Sequence, residues 1–153
     1  WSLHISTMQL TRDTPTGTPP SPRSGFSLTA LGRDRLALFG GYSRAHGRPL
    51  NDTHLLARQA GGGWHWMEVD TPEPPEPRHD HSADLIGGKL VVFGGFRNAE
   101  WLGRRRGWGR ALSDVVVLDL ASQTWAHPRV HGSTPTAPRS SHATATTPAP
   151  RSS

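Results

Sequence analysis

One phrase is written twice in this chain, and no other feature narrows its fold so far. Ser27-Leu28-Thr29-Ala30-Leu31-Gly32-Arg33-Asp34-Arg35-Leu36-Ala37-Leu38-Phe39-Gly40-Gly41 returns, one residue shorter in its middle, as Ser82-Ala83-Asp84-Leu85-Ile86-Gly87-Gly88-Lys89-Leu90-Val91-Val92-Phe93-Gly94-Gly95. Each copy follows a Pro-Arg pair and precedes an Asp and, further on, a Trp. Self-similarity at a period of about 50 residues is the mark of a propeller blade, a solenoid or an array.

Four anchors recur in order. The first reads Pro22-Arg23-Ser24-Gly25-Phe26-Ser27, Pro77-Arg78-His79-Asp80-His81-Ser82 and Pro138-Arg139-Ser140-Ser141-His142-Ala143, with 55 and then 61 positions between successive arginines. The second is the apolar strand ending in a double glycine, Gly40-Gly41 and Gly94-Gly95. The third is Leu50-Asn51-Asp52 and Leu112-Ser113-Asp114. The fourth is a tryptophan, Trp125 in the second copy and Trp64 or Trp66 in the first. Trp64 is favoured because Trp64 to Arg78 and Trp125 to Arg139 are both 14 positions. Trp1 is expected to close a preceding copy.

Each unit reads as four short strands. Residues 81–86 and 89–93 are apolar runs split by Gly87-Gly88, a two-residue hairpin turn that needs positive φ. Val115-Val116-Val117-Leu118 is a β-branched third strand, and Thr124-Trp125-Ala126-His127 a fourth. No window shows helical period. The fold class is therefore all-β, with blades of four antiparallel strands from an incomplete β-propeller. The expected units are residues 1–21, the last strand of a preceding blade plus a connector; 22–71, one repeat; 72–134, a second with a long insertion at 96–111; and 135–153, the start of a further repeat with a frayed tail.

With these anchors in place the unit resembles a kelch repeat: the Arg-x-x-His-Ser start, the double glycine after an apolar strand, the Asp before the third strand and the late Trp. The resemblance covers roughly residues 1–6 and 22–147. Two departures stand out. Phe26 replaces the usual His, and Ala57 sits where the second copy has Asp119. The resemblance implies a protein-interaction role, as scaffold, adaptor or substrate-recognition part, and no enzyme activity. It also points to a propeller oxidase whose cofactor is a cross-linked Tyr and Cys. This chain has a single tyrosine, Tyr42, and no cysteine, so that chemistry cannot be built and an inactive relative is the most this reading allows.

Two blades cannot close a ring of four to eight. They leave open sheet edges and bury little core for their size, so a piece of a longer chain, or self-association through the open edges, is expected. The absent cysteines exclude disulfides and thiolate metal sites and fit a reducing, cytoplasmic setting. No apolar run reaches 18 residues, so no membrane helix is expected. The net charge is +5, and all but one of the 17 basic side chains are arginines, the exception being Lys89. A basic surface suits acidic proteins or nucleic acid.

The strand order puts the second-to-third-strand loop and the inter-blade connector at one end, where loops form a binding face. In the first repeat that loop is Tyr42 to Pro49, with Arg44 and Arg48. In the second it carries Arg97, Trp101, Arg104, Arg105, Arg106, Trp108 and Arg110. Arginine forms bidentate bonds to carboxylates and stacks on aromatic rings, and Trp and Arg are common interface anchors. The expected partner is an acidic segment of another protein. RNA, held by phosphate contacts and base stacking on residues 97–110, is the alternative.

Arg23, Arg78, Arg139, His81, His142, Gly40, Gly41, Gly94, Gly95, Trp64 and Trp125 are expected to be structural. The recurring arginines would brace adjacent blades, and in acidic-motif-binding kelch propellers such arginines also touch ligand. His79 and His81, two apart, would share a strand face. His81 belongs to the recurring anchor, however, and no further ligands follow at a useful spacing, so no metal or cofactor is assigned.

Overall fold

The structure, a computed structural model, describes residues 2–97 and 110–129. The described residues form eleven strands and no helix. They are β1 (Ser2–His4), β2 (Gln9–Thr11), β3 (Thr16–Gly17), β4 (Ser27–Ala30), β5 (Arg35–Ser43), β6 (Arg48–Arg58), β7 (Trp64–Val69), β8 (Ser82–Ile86), β9 (Lys89–Phe93), β10 (Val115–Asp119) and β11 (Thr124–Ala126). The sheets run β1-β2, then β3-β7-β6-β5-β4, then β11-β10-β9-β8. Neighbours are antiparallel except β3, which adds to the rim strand β7 in parallel. Strands β4–β7 make blade one and β8–β11 blade two.

Blade two shows why these residues take this form. Along β9 and β10 the side chains alternate, and Leu90, Val92, Val116 and Leu118 are buried while Val91, Val115 and Val117 are only partly so. That period of two sends one set into the space between blades. The turn into β9 is two residues long, with Ile86 opposite Lys89 and φ values of 57° and 76° at Gly87 and Gly88, the I′ geometry that suits a twisted hairpin.

The core lies between the two blades. Ala37, Phe39 and Leu55 of blade one meet Leu90, Val92, Val116 and Leu118 of blade two, with Leu31, Val69, Ala83 and Trp125 at the margin. The Phe39 ring sits 4.8 Å from Trp125 and 5.3 Å, edge-on, from His81. Polar groups tie the blades at the same place. His81 Nε2 lies 3.0 Å from Ser27 Oγ, and Thr29 Oγ1 donates to the Ala83 carbonyl. The Gly41 amide donates to the Arg78 carbonyl at 2.9 Å, and the Arg78 amide to the Leu50 carbonyl at 3.0 Å.

Four expectations change. Residues 2–11 form a hairpin of two strands where one closing strand was expected, and Leu10, opposite Leu3, holds the place that Trp125 holds opposite Leu118. Trp1 lies outside the described residues. In blade one it is Trp66, opposite Leu56, that matches Trp125, while Trp64 pairs with Arg58 at the strand start. Spacing misled because blade one has a longer turn before this strand and a shorter connector after it. The supposed loop from Tyr42 to Pro49 is half strand: β5 runs on to Ser43 and β6 begins at Arg48, leaving a four-residue turn. Finally, His79 and His81 precede β8 and do not share a strand face, because Asp80 between them takes the left-handed conformation, φ 54°.

The Ala57 departure has a local compensation. Asp119 Oδ1 accepts the Ala121 and Ser122 amides and so shapes the β10–β11 turn. Blade one lacks that carboxylate and turns instead through Gly61-Gly62-Gly63, with φ of 85° and 80° at the last two.

Gly40 has φ +62°, and a Cβ there would lie 2.7 Å from the Arg78 carbonyl oxygen. Gly47 has the same φ but open space around it. Gly47→Ala should therefore cost only the backbone term, about 1 kcal/mol, and Gly40→Ala about 2 kcal/mol more, because the blade contact must move. Urea denaturation of the two variants measures the difference. Burial, aided by the charges of Arg78 and His79, pushes the His81 imidazole from 6.5 down to about 3. The unfolded chain then binds a proton that the folded chain refuses, so stability should fall as pH drops from 6.5 toward 3, by about 1 kcal/mol per unit. His81→Phe, which copies Phe26, should flatten the fall in melting temperature between about pH 6.5 and 4.5, a window above the titration of the paired carboxylates.

Candidate functional site

Both sheets send the same features to the same end. Strand β7 finishes midway along β6, with Val69 opposite Thr53 and the N-terminal half of β6 running on beyond it, and β9 finishes beside the start of β8, with Phe93 opposite Ser82. The β5–β6 turn, the β9–β10 connection and the Pro-rich connectors therefore emerge together. This end holds most of the candidate residues.

Its frame is a pair of arginine–aspartate forks. Arg23 donates from Nη1 and Nη2 to the two Asp52 oxygens at 2.6 and 2.8 Å, from Nη1 to the Gly40 carbonyl at 3.1 Å, and from Nε to the Ser21 carbonyl at 2.9 Å. Arg78 repeats the pattern on Asp114, both at 2.9 Å, on Gly94 O at 3.2 Å and on Glu76 O at 3.2 Å. Their side chains are 3 % and 0 % exposed. A planar guanidinium suits this role because its donors form a rigid fork. The expected brace between blades is thus divided: the side chain ties its own blade together, and the Arg78 backbone makes the inter-blade bonds. Four of the five N–H donors of Arg78 are engaged in this way, and its side chain has no exposed surface among the described residues.

Burial raises the Asp52 carboxyl, but hydrogen bonds from His54 and Arg23 outweigh it and hold the group well below the usual carboxylate range. At Asp114 burial is likewise outweighed by the hydrogen bond and charge of Arg78, with smaller help from a backbone amide and from His127.

The candidate recognition arginines are dispersed. Arg44 and Arg48 are exposed at the tip of the β5–β6 arm. Arg97 donates from Nη1 to Glu76 Oε1 at 2.7 Å. Arg110 is exposed, and its carbonyl accepts the Arg97 amide at 3.1 Å. The Leu112 amide donates to Gly95 O at 2.7 Å, and Phe96 pairs with both His79 and Ala111. The neck of the β9–β10 connection is therefore closed, and blade two keeps its register across the insertion. Trp101, Arg104, Arg105, Arg106, Trp108, Arg139 and His142 lie outside the described residues. Under the neck the His79 ring packs against Tyr42 at 5.5 Å and Phe96 at 5.8 Å, with Nδ1 3.0 Å from Asp80 Oδ2.

Sequence reasoning missed an acidic cleft at this end. A cavity of about 510 Å³ is lined by Asn51, Asp52, Glu68, Val69, Asp70, Thr71 and Pro74. His54 lies behind it, with Nε2 2.9 Å from Asp52 Oδ2. The available signal was His54 itself, a histidine at the β6 position where β10 has Val116.

Arg78→Met should cost about 3 kcal/mol, because Asp114 and two carbonyls lose their donors. Arg78→Lys should recover only part of it, since an ammonium cannot fork. Chemical denaturation of both variants tests this.

No helix among the described residues is long and apolar enough to cross a membrane. The chain is 36 % identical over 129 residues to acyl-CoA-binding domain-containing protein 5 of Arabidopsis thaliana, covering 83 % of this chain and 17 % of that protein. It is 38 % identical over 116 residues to dynein regulatory complex subunit 7 of Chlamydomonas reinhardtii, covering 74 % and 9 %. With the Rab9 effector protein with kelch motifs of Xenopus laevis it shares 38 % over 79 residues, covering 52 % and 21 %. The chain thus spans about a fifth or less of the length of these relatives. The solved structure of YjhT superposes with a TM-score of 0.51 at 17 % identity, over 69 % of this chain and 37 % of that one, a likeness of fold alone. The model of the KLHDC2/KLHL20/DRC7 Kelch-repeats domain matches residues 1–149, and the chain belongs to that kelch-repeat family.

Proposed function

We propose that this chain is part of a non-catalytic protein-interaction propeller whose β9–β10 connection receives an acidic segment of the partner protein. The observation that carries the reading is the division of labour among the arginines. Arg23 and Arg78 are consumed inside the blades, while the sequence between the closed neck residues Arg97 and Arg110 adds Trp101, Arg104, Arg105, Arg106 and Trp108. Arginines outside the recurring anchors, interleaved with tryptophans in a long stretch between two strands, suit bidentate capture of carboxylates with aromatic anchoring. Arg44, Arg48 and Arg110, exposed at the same end, extend the cationic surface. Relatives named as a regulatory-complex subunit and as an effector agree with a role in assembly.

The test is fluorescence anisotropy with a Glu-rich peptide and, in parallel, a single-stranded RNA of similar charge. Arg104→Glu/Arg105→Glu/Arg106→Glu should lower peptide affinity at least about tenfold and leave the thermal transition in place. Tight RNA binding with a steep salt dependence, and weak peptide binding, would replace this reading with the nucleic-acid one.

A further inference from the structure

His54 breaks the pattern of the blade it sits in. Its counterpart Val116 is a core residue, whereas His54 puts an imidazole in the same place with a side chain only 4 % exposed. Nε2 is engaged by Asp52, while Nδ1 is buried with no hydrogen-bond partner. Through Nε2 the ring turns a nitrogen toward the Asp52 carboxylate, where a valine would offer no ligand atom.

The neighbours of His54 supply a chemical reason. The β6–β7 register sets Glu68 directly opposite His54, and Asp52 precedes it by two residues. A ring nitrogen of His54 and one carboxylate oxygen each of Asp52 and Glu68 lie within 4.8 Å of one another. Zinc with nitrogen and oxygen ligands at about 2.0–2.2 Å holds its ligand atoms roughly 3.3–3.5 Å apart, so small side-chain adjustments close the gap. Glu68 is exposed, and the cavity beside it gives a cation and its water access to the carboxylates.

We propose that Asp52, His54 and Glu68 bind one divalent cation of the zinc class, with water from the adjoining cleft completing four-fold coordination. One imidazole with two carboxylates suits zinc better than magnesium, which prefers oxygen ligands alone. The proton balance is straightforward. Ionised Asp52 only accepts, so Nε2 supplies the proton of that hydrogen bond; a cation taking Nε2 replaces the bond, and the ring proton moves to Nδ1. Arg23 occupies one site on each Asp52 oxygen, and a carboxylate offers about four. Arg23 then orients the ligand from behind, and its positive charge sets the affinity below that of a purpose-built structural zinc site. Blade two carries the same fork on Asp114 but has Val116 at the His54 position, so the site belongs to blade one.

Isothermal titration of the full chain with zinc chloride, and separately with magnesium chloride, is the test. One zinc per chain is expected, with no magnesium competition. His54→Val, which installs the residue of blade two, and Glu68→Gln, a change at an exposed position, should each weaken zinc binding at least about tenfold. Thermal unfolding confirms that the variants fold, and Glu68→Gln decides the matter by itself should His54→Val lose its transition. Absence of stoichiometric zinc binding, or binding of equal strength in a folded variant, would overturn the proposal.

Discussion

A guanidinium with no exposed surface must find its hydrogen-bond partners inside the sheet, and that demand organises both blades. Arg78 needs a carboxylate that can accept a fork, a free carbonyl from the glycine pair, and a second carbonyl two residues back along the connector. The Asp that opens the third strand, the double glycine that ends the second and the Pro-Arg that leads into the first are thus one interaction seen from three places in the chain. Breaking any one strands the others, because a buried charge without its partners is among the costliest things a fold can contain. The glycine is needed for a second reason as well. At Gly40 the backbone passes so close to the following blade's Arg78 carbonyl that no side chain fits. The same few atoms therefore hold each blade together internally and set its distance from the next.

Much of this was legible because it recurs. The strands of blade two, the Gly87-Gly88 turn and the all-β architecture follow from alternation and turn chemistry, which are local. What the sequence hid depends on compensating changes of length. Trp66 rather than Trp64 faces Leu56, since a longer turn on one side of the strand and a shorter connector on the other preserve the overall spacing. The β5–β6 arm was hidden in the same way. Tyr42 and Ser43 look like loop residues after a double glycine, yet the ladder resumes past a register shift between Phe39 and Gly41. The acidic cleft was out of reach of a motif search because Asp52, His54, Glu68 and Asp70 come from two strands and a connector. Only the oddity of His54 against Val116 marks it.

The two proposals place opposite charges at one end of the molecule. The cationic connection leaves blade two through a neck closed by Arg97 and Arg110, and the anionic cleft opens in blade one between β6 and the connector. Arg97 meets Glu76 of that connector, two residues beyond Pro74 of the cleft lining. With the cleft free of metal, the two proposed charges would favour a ligand with an order to its charges over one that is uniformly acidic, and a bound zinc ion would cancel the two carboxylates, so electrostatic selectivity at this end would depend on it.

The small strand β3 gives the connectors a further meaning. Thr16–Gly17 is bonded to the rim strand β7, and six residues later Arg23 is locked to Asp52 of β6 and the Gly40 carbonyl of β5. The connector therefore passes over blade one from the rim strand to the central strands and is fastened at both places. Tension drawn along the chain at this point would load the rim ladder and the arginine fork together, in shear, instead of peeling strands away one at a time. A blade fastened in this way couples its connector to three of its own strands, β5, β6 and β7.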